Sequence, residues 1–121
     1  MPKIMLAEDD VTMLSLLRTL LRLEGFDTVT LNEQENVLDA VYREHPDVIL
    51  LDVHLTQGSG VDLLREIRSD FNLHSVFVIM QSGMNLMSEC KDAGADTFLL
   101  KPYMPDMLIQ AIKDGIEQRK S

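Results

Sequence analysis

Three stretches of this chain are apolar without interruption: Ile4-Met5-Leu6-Ala7, Val48-Ile49-Leu50-Leu51 and Val76-Phe77-Val78-Ile79-Met80. A strand with one wet face alternates apolar and polar residues. A run that does not alternate suits a strand covered on both faces, as in a parallel sheet wrapped by helices. Two weaker runs complete the set, so strands are predicted over Lys3 to Ala7, Thr28 to Leu31, Val48 to Leu51, Val76 to Met80 and Thr97 to Leu100. The polar character of Thr28 to Leu31 suits an edge.

The segments between these runs carry a helical period. Val11 to Glu24 bears Leu14, Leu17 and Leu21 beside Leu16, Leu20 and Leu23, a broad apolar stripe, with Gly25 as its stop. Asn32 can cap a second helix that runs through His45 and ends at Pro46. Leu63, Leu64 and Ile67 mark a third after the Gly58-Ser59-Gly60 turn, and Met84 to Ala93 a weaker fourth before Gly94. Pro105 suits the first turn of a fifth, in which Leu108, Ile109, Ile112 and Ile116 recur at helical spacing.

Strand and helix therefore alternate as (βα)5, an α/β chain with no linker, repeat or low-complexity stretch. At 121 residues it is expected to be one domain over 1–121. Right-handed crossovers put helices on both faces, a doubly wound parallel five-stranded sheet for which the flavodoxin-like order 2-1-3-4-5 is the leading candidate. Eleven Lys and Arg against twenty Asp and Glu leave a net charge of −9. That balance argues against direct binding to nucleic acid or an anionic membrane, both of which need a basic face. No apolar run approaches the ~18 residues of a membrane span, and the N-terminal apolar run is too short for a signal peptide. A cytoplasmic location is expected. The single cysteine, Cys90, excludes an internal disulfide and is read as a packing residue.

Ligands on such sheets bind at the carboxyl ends of the strands. Standing there are Glu8-Asp9-Asp10 after the first strand, Asp52 closing the third, Ser82 after the fourth and Lys101 after the fifth. The first and third strands are neighbours in the expected order, which brings Glu8, Asp9 and Asp52 together. Carboxylates in one pocket raise each other's pKa unless a cation intervenes, and Mg2+ with oxygen ligands is the natural one. A metal, an ammonium and a hydroxyl donor around a carboxylate make a site for an incoming phosphoryl group. Asp52 is then the nucleophile, forming an acyl phosphate. Each residue also has a plainer reading. Asp10 suits an N-cap, Lys101 a solvated loop residue and Ser82 a turn former; the coincidence at four strand ends favours the site.

These pieces resemble the receiver domain of two-component response regulators over nearly the whole chain. The resemblance rests on Ile4-Met5-Leu6-Ala7-Glu8-Asp9-Asp10 and on Pro46-Asp47-Val48-Ile49-Leu50-Leu51-Asp52 with Gly58-Ser59-Gly60. It continues through Val78-Ile79-Met80-Gln81-Ser82-Gly83 and Ala93-Gly94-Ala95-Asp96-Thr97-Phe98-Leu99-Leu100-Lys101-Pro102-Tyr103. It implies that Asp52 is the phosphoacceptor, loaded from a phosphohistidine on a sensor histidine kinase or a histidine phosphotransfer protein. Mg2+ would be held by Asp9 and Asp52, by Glu8 directly or through water, and by the backbone carbonyl of His54. Lys101 would pair with the phosphoryl oxygens, Ser82 would be the switch hydroxyl and Phe98 the switch aromatic that turns inward behind it. Phe98 can equally be a core residue. The Lys101–Pro102 bond would be cis. A phosphoryl group adds about −2 charge and three acceptor oxygens, which bias the Ser82 loop toward Asp52. The face formed by helix 4, strand 5 and helix 5 is then the expected output surface toward an output domain or effector protein.

The chain departs from the pattern in places. Thr56 stands where many receivers have proline, and Gly83 where alanine is common. His54 and Met84 resemble in position the residues that tune phosphoryl lifetime in the family; His54 can orient water or stand at the rim with no role, whereas Met84 cannot orient water, so a long-lived phosphorylated state is expected. Ala111 stands where winged-helix regulators usually place an arginine of their dimer. Met13, Met87 and Met107 are read as core or rim fillers rather than a groove. Two alternatives stay open: a degenerate receiver acting as a phosphorylation-independent interaction module, and an Asp-nucleophile phosphatase, which would want a second aspartate where His54 stands. A flavin carrier of the same topology is excluded, because Glu8-Asp9-Asp10 would repel its phosphate. The tail Glu117-Gln118-Arg119-Lys120-Ser121 can end a protein or begin a linker.

Overall fold

The computed structural model describes residues 2–32 and 34–120, with the side chains of Arg119 and Lys120 left aside. In chain order the elements are β1 (Lys3–Ala7), α1 (Val11–Leu23), β2 (Asp27–Thr30), α2 (Val37–Glu44) and β3 (Val48–Asp52). A short hairpin follows, β4 (His54–Leu55) and β5 (Gly58–Ser59), then α3 (Gly60–Ser69), β6 (Phe77–Ser82), α4 (Met87–Asp92), β7 (Thr97–Leu100) and α5 (Pro105–Lys120). The main sheet has the order β2-β1-β3-β6-β7, every neighbour parallel. This is the doubly wound sheet expected from the apolar runs, with the 2-1-3-4-5 order of its five main strands.

The missing alternation has its cause in the two cores. Successive side chains of a strand point to opposite faces. On one face Ile4, Leu6, Val48, Leu50, Phe77, Ile79 and Leu99 pack with Leu17 and Leu21 of α1 and Leu108 and Ile112 of α5. On the other, Met5, Ala7, Ile49, Leu51, Val78, Met80 and Phe98 pack with residues of α2, α3 and α4. All five residues of β3 are buried. With neither face wet, the central strands stay apolar until their carboxyl ends, where Asp52, Gln81 and Ser82 stand.

Four local expectations are corrected. The α1 stripe is narrower than its leucines suggest: Leu17 and Leu21 are buried, but Leu16 is 55% and Leu23 78% exposed, because this helix touches only one face of the sheet. The second helix begins at Val37 with Asn36, not Asn32, as its cap, the Asn36 carboxamide accepting from Leu38 N–H and Asp39 N–H. Asn32 instead shapes a turn through its backbone: its carbonyl accepts from Glu35 N–H, and its own N–H donates to the Glu35 carboxylate. The fourth helix begins at Met87 rather than Met84, since Met84 N–H is already bound to the Ser82 hydroxyl. The hairpin β4–β5 replaces what reads in sequence as a plain turn. Gly60 opens α3 pressed on the Asp52 carbonyl, where any Cβ would collide with backbone. The bottom of the sheet is tied by Arg68, which donates to the carbonyls of Gly94, His74 and Val76 and pairs with Asp96.

Candidate functional site

The parallel register delivers the predicted residues to one rim. Glu8 follows β1, Asp52 ends β3, and Lys101 follows β7. The period of two places them on the face covered by α1 and α5, with Gln81 of β6 beside them. Asp52 and Gln81 are register partners. Ser82 and Phe98 fall on the opposite parity, toward α4.

The centre is a buried carboxylate held from several sides. Lys101 Nζ lies 2.5 Å from Asp52 Oδ2 and 3.5 Å from Glu8 Oε1. His54 N–H donates to Asp52 Oδ1 at 2.9 Å. Glu8 and Asp52 are 8% and 6% exposed, so two acids share a nearly dry pocket with one ammonium. Burial, reinforced by a hydrogen bond to Asp52 and by its charge, pushes the Glu8 carboxyl up to about 7, with Lys101 opposing. Burial also raises Asp52, but hydrogen bonds from Glu8, Lys101 and His54 N–H outweigh it and leave its pKa lowered. Lys101 loses solvent, yet its bonds to the two acids hold its pKa above the ordinary lysine value. The two acids are thus pushed in opposite directions, Glu8 up and Asp52 down.

Asp9 does not join this cluster. Its carboxylate turns outward to accept from Thr56 N–H at 2.6 Å in the hairpin. Among the described residues no three acids, histidines or cysteines converge as a preformed metal cage. Glu8 and Asp9 do line one open cleft of about 600 Å³ with Val11, Leu14, Asn36 and Thr56. Asp10 caps α1, accepting from Met13 N–H at 3.0 Å, which is its plainer reading. His54 is exposed at the rim. Ser82 is buried with its hydroxyl accepting from Met84 N–H at 3.0 Å. Phe98 is 9% exposed and already packed inward among the α2–α4 core. The Lys101–Pro102 bond is cis. Main-chain bonds fix the rim: Val53 N–H donates to the Gln81 carbonyl, Gly60 N–H to the Val53 carbonyl and Lys101 N–H to the Ser82 carbonyl.

Two site residues escaped the sequence reading. Gln81 is wholly buried, its Nε2 directed to Glu8 Oε2 at 3.4 Å, and Tyr103 Oη donates to Gln81 Oε1 at 2.5 Å. A carboxamide at the end of the run Val76 to Met80 was the available signal, since a buried polar residue is the informative exception in a strand. The methionine reading holds only in part. Met13 packs half-buried against α1's core, and Cys90 is fully buried as expected. Met87 and Met107 are 50% and 53% exposed, with Met84, Leu100 and Met104 also exposed along the same α4–β7–α5 edge.

Fold and rim together define a doubly wound α/β module with an acidic pocket at its strand ends, and the chain belongs to the response regulator receiver domain family, whose model matches residues 4–113. It is similar to the transcriptional regulatory protein YxdJ of Bacillus subtilis, 33% identical over 118 residues, 98% of this chain and 52% of that protein. It is also similar to the DNA-binding response regulator MtrA of Mycobacterium tuberculosis, 30% identical over 111 residues, 92% of this chain and 49% of the relative. The chain thus spans about half the length of these curated relatives. Among solved structures, it matches the receiver domain of a Pseudomonas aeruginosa sensor histidine kinase, which has a magnesium ion coordinated in its active site cleft. That match has a TM-score of 0.81 and 26% identity, covering 96% of this chain and 98% of the other. No helix among the described residues is long and apolar enough to cross a membrane.

Proposed function

We propose that this chain is a cytoplasmic, phosphorylation-driven switch in which Asp52 takes a phosphoryl group from a phosphohistidine on a sensor histidine kinase or phosphotransfer protein. The observation that carries the reading is the pocket itself: a buried carboxylate kept anionic by an ammonium at 2.5 Å and a backbone N–H at 2.9 Å. An anionic Asp52 is a nucleophile at neutral pH. Its attack on phosphorus forms the acyl phosphate as the P–N bond to the donor imidazole breaks. Lys101 stays beside the oxygens on which charge develops. The open cleft by Glu8 and Asp9 gives the donor a way in.

Mg2+ fits the donors present. Two buried acids face a single ammonium, an imbalance that a divalent cation would offset, and all the candidate ligands are hard oxygens. Glu8, Asp9, Asp52 and the His54 carbonyl would hold it, and the ion would supply positive charge to the phosphoryl oxygens. Ser82 keeps its own hydroxyl proton to donate to a phosphoryl oxygen while its oxygen accepts from Met84 N–H. That bond would draw the loop before α4 toward Asp52, so the α4–β7–α5 face carries the output to a protein domain or partner. Phe98 already lies inward, which leaves the Ser82 loop as the part with a movement to make. The chain catalyses its own phosphoryl uptake and loss.

Intact mass after incubation with acetyl phosphate, with and without Mg2+, tests the reading. A Mg2+-dependent gain of one phosphoryl group in the wild type, absent in Asp52→Asn, is expected. No gain, repeated with a phosphohistidine donor, would turn the assignment to a degenerate receiver that acts by binding. Following the mass after donor removal tests the long lifetime expected of Met84; decay within seconds contradicts it.

A further inference from the structure

Gln81 is the one side chain in β6 ahead of Ser82 that is both polar and wholly buried. Burying a carboxamide is unfavourable unless its oxygen and its NH2 group find partners. Here each end has one. Tyr103 Oη donates to Oε1 at 2.5 Å, and Nε2 faces Glu8 Oε2 at 3.4 Å. The second contact is long, so its value lies in direction more than strength. A carboxyl oxygen that carries no proton only accepts, so the NH2 end faces Glu8 Oε2 and the oxygen faces the tyrosine hydroxyl. Tyr103 follows the Lys101–Pro102 bond and packs against the α1–α5 core, so its hydroxyl is held from outside the pocket.

We infer that Gln81 and Tyr103 are a positioning pair for Glu8: Tyr103 sets the carboxamide, and the carboxamide sets which oxygen of Glu8 is turned toward Lys101, Asp52 and an incoming Mg2+. The inference rests on the Mg2+-dependent receiver reading. It deepens that reading by adding two residues that touch neither phosphoryl group nor metal. Outer partners of this kind orient metal-binding carboxylates, and their loss typically weakens metal binding about 10- to 100-fold. Glu8 Oε1 then points at Lys101 because Oε2 is engaged by Gln81.

The test is a calorimetric titration of the whole chain with MgCl2. Wild type, Gln81→Leu, Tyr103→Phe and the double variant are compared, with circular dichroism confirming the fold of each. Gln81→Leu is expected to weaken Mg2+ binding about tenfold or more. Tyr103→Phe, which removes one oxygen, is expected to weaken it several-fold alone and to add nothing in the Gln81→Leu background. Unchanged affinity in a folded Gln81→Leu overturns the inference, as does a Tyr103→Phe loss that persists fully in the double variant. Should Gln81→Leu not fold, Tyr103→Phe is compared in wild type and in Glu8→Gln; an equal loss in both overturns the inference. A wild type that binds Mg2+ and gains a phosphoryl group while Gln81→Leu matches it sinks this inference alone. A wild type that does neither sinks the receiver reading and this inference with it.

Discussion

Glu8 and Asp52 show what a residue can do that its neighbours in sequence do not announce. Two acids at strand ends read as a ligand pair; the structure adds that burial drives Glu8 up while hydrogen bonds hold Asp52 down. A carboxyl whose folded pKa lies above its unfolded value stabilises the fold while it is protonated, and that stability is lost as pH rises through the folded value. For Glu8 the window runs from about 4.5 to about 7. Without divalent cations the protein is therefore expected to lose on the order of 1–3 kcal/mol between pH 5 and pH 7. Asp52, lowered, acts in the opposite sense only below its ordinary 3.8, outside that window. Thermal unfolding across pH checks this. The slope should shrink in Asp52→Asn, where burial of Glu8 remains but its acidic partner is gone, and Mg2+ should stabilise more at pH 8 than at pH 6. A flat curve for the metal-free wild type would contradict the raised Glu8 carboxyl. The sequence showed Glu8, Asp52 and Lys101 as a group because each closes a strand. It did not show Gln81 and Tyr103, whose roles depend on one side chain reaching over the end of β3.

At the scale of elements, the sheet was legible and the helix starts were not. The buried parallel sheet followed from unbroken apolar runs, a property of whole segments, and right-handed crossovers made 2-1-3-4-5 the leading order. The start of α2 turned instead on a choice between two asparagines four positions apart, settled by a residue far along the chain. Gln57, in the β4–β5 hairpin, accepts from Val37 N–H and donates to the Glu35 carbonyl, closing the turn that places Asn36 at the cap. The contrast is testable. Asn36→Ala should cost about 1 kcal/mol, whereas Asn32→Ala should stay within about 0.5 kcal/mol, because Asn32 contributes backbone groups. Equal losses on chemical denaturation would contradict this account. A second element carries a hidden constraint. Gly115 lies inside α5, where alanine ordinarily stabilises a helix, but a Cβ there would stand 2.5 Å from the Phe77 ring. Gly115→Ala is expected to destabilise by about 1–3 kcal/mol; a higher denaturation midpoint would show that the ring yields.

At the scale of the whole molecule the sheet divides the rim residues between two faces. Glu8, Asp52, Gln81 and Lys101 share the parity of the α1–α5 core, while Ser82 and Phe98 share that of α4. Along the edge where those faces meet, Met84, Met87, Leu100, Met104 and Met107 stand in solvent. Met87 and Met107 read in sequence as core or rim fillers, because a residue's place on a helix does not say what covers it. Since Met87 and Met107 are already half exposed, Met87→Ser and Met107→Ser should each change stability by less than about 0.5 kcal/mol. A large loss in urea unfolding would return them to the core.

The ties among Val53, Gly60, Gln81, Ser82 and Lys101 run through amides and carbonyls, with no side chain in the linkage. Such a rim is assembled by the same ladder that assembles the sheet. Gly60 apart, where a Cβ would collide with the Asp52 carbonyl, the linkage itself asks nothing of the side chains around it, much as a jig keeps its alignment when the workpiece changes. Partner choice, lifetime and output can then be rewritten around the rim while the reacting geometry stays in place.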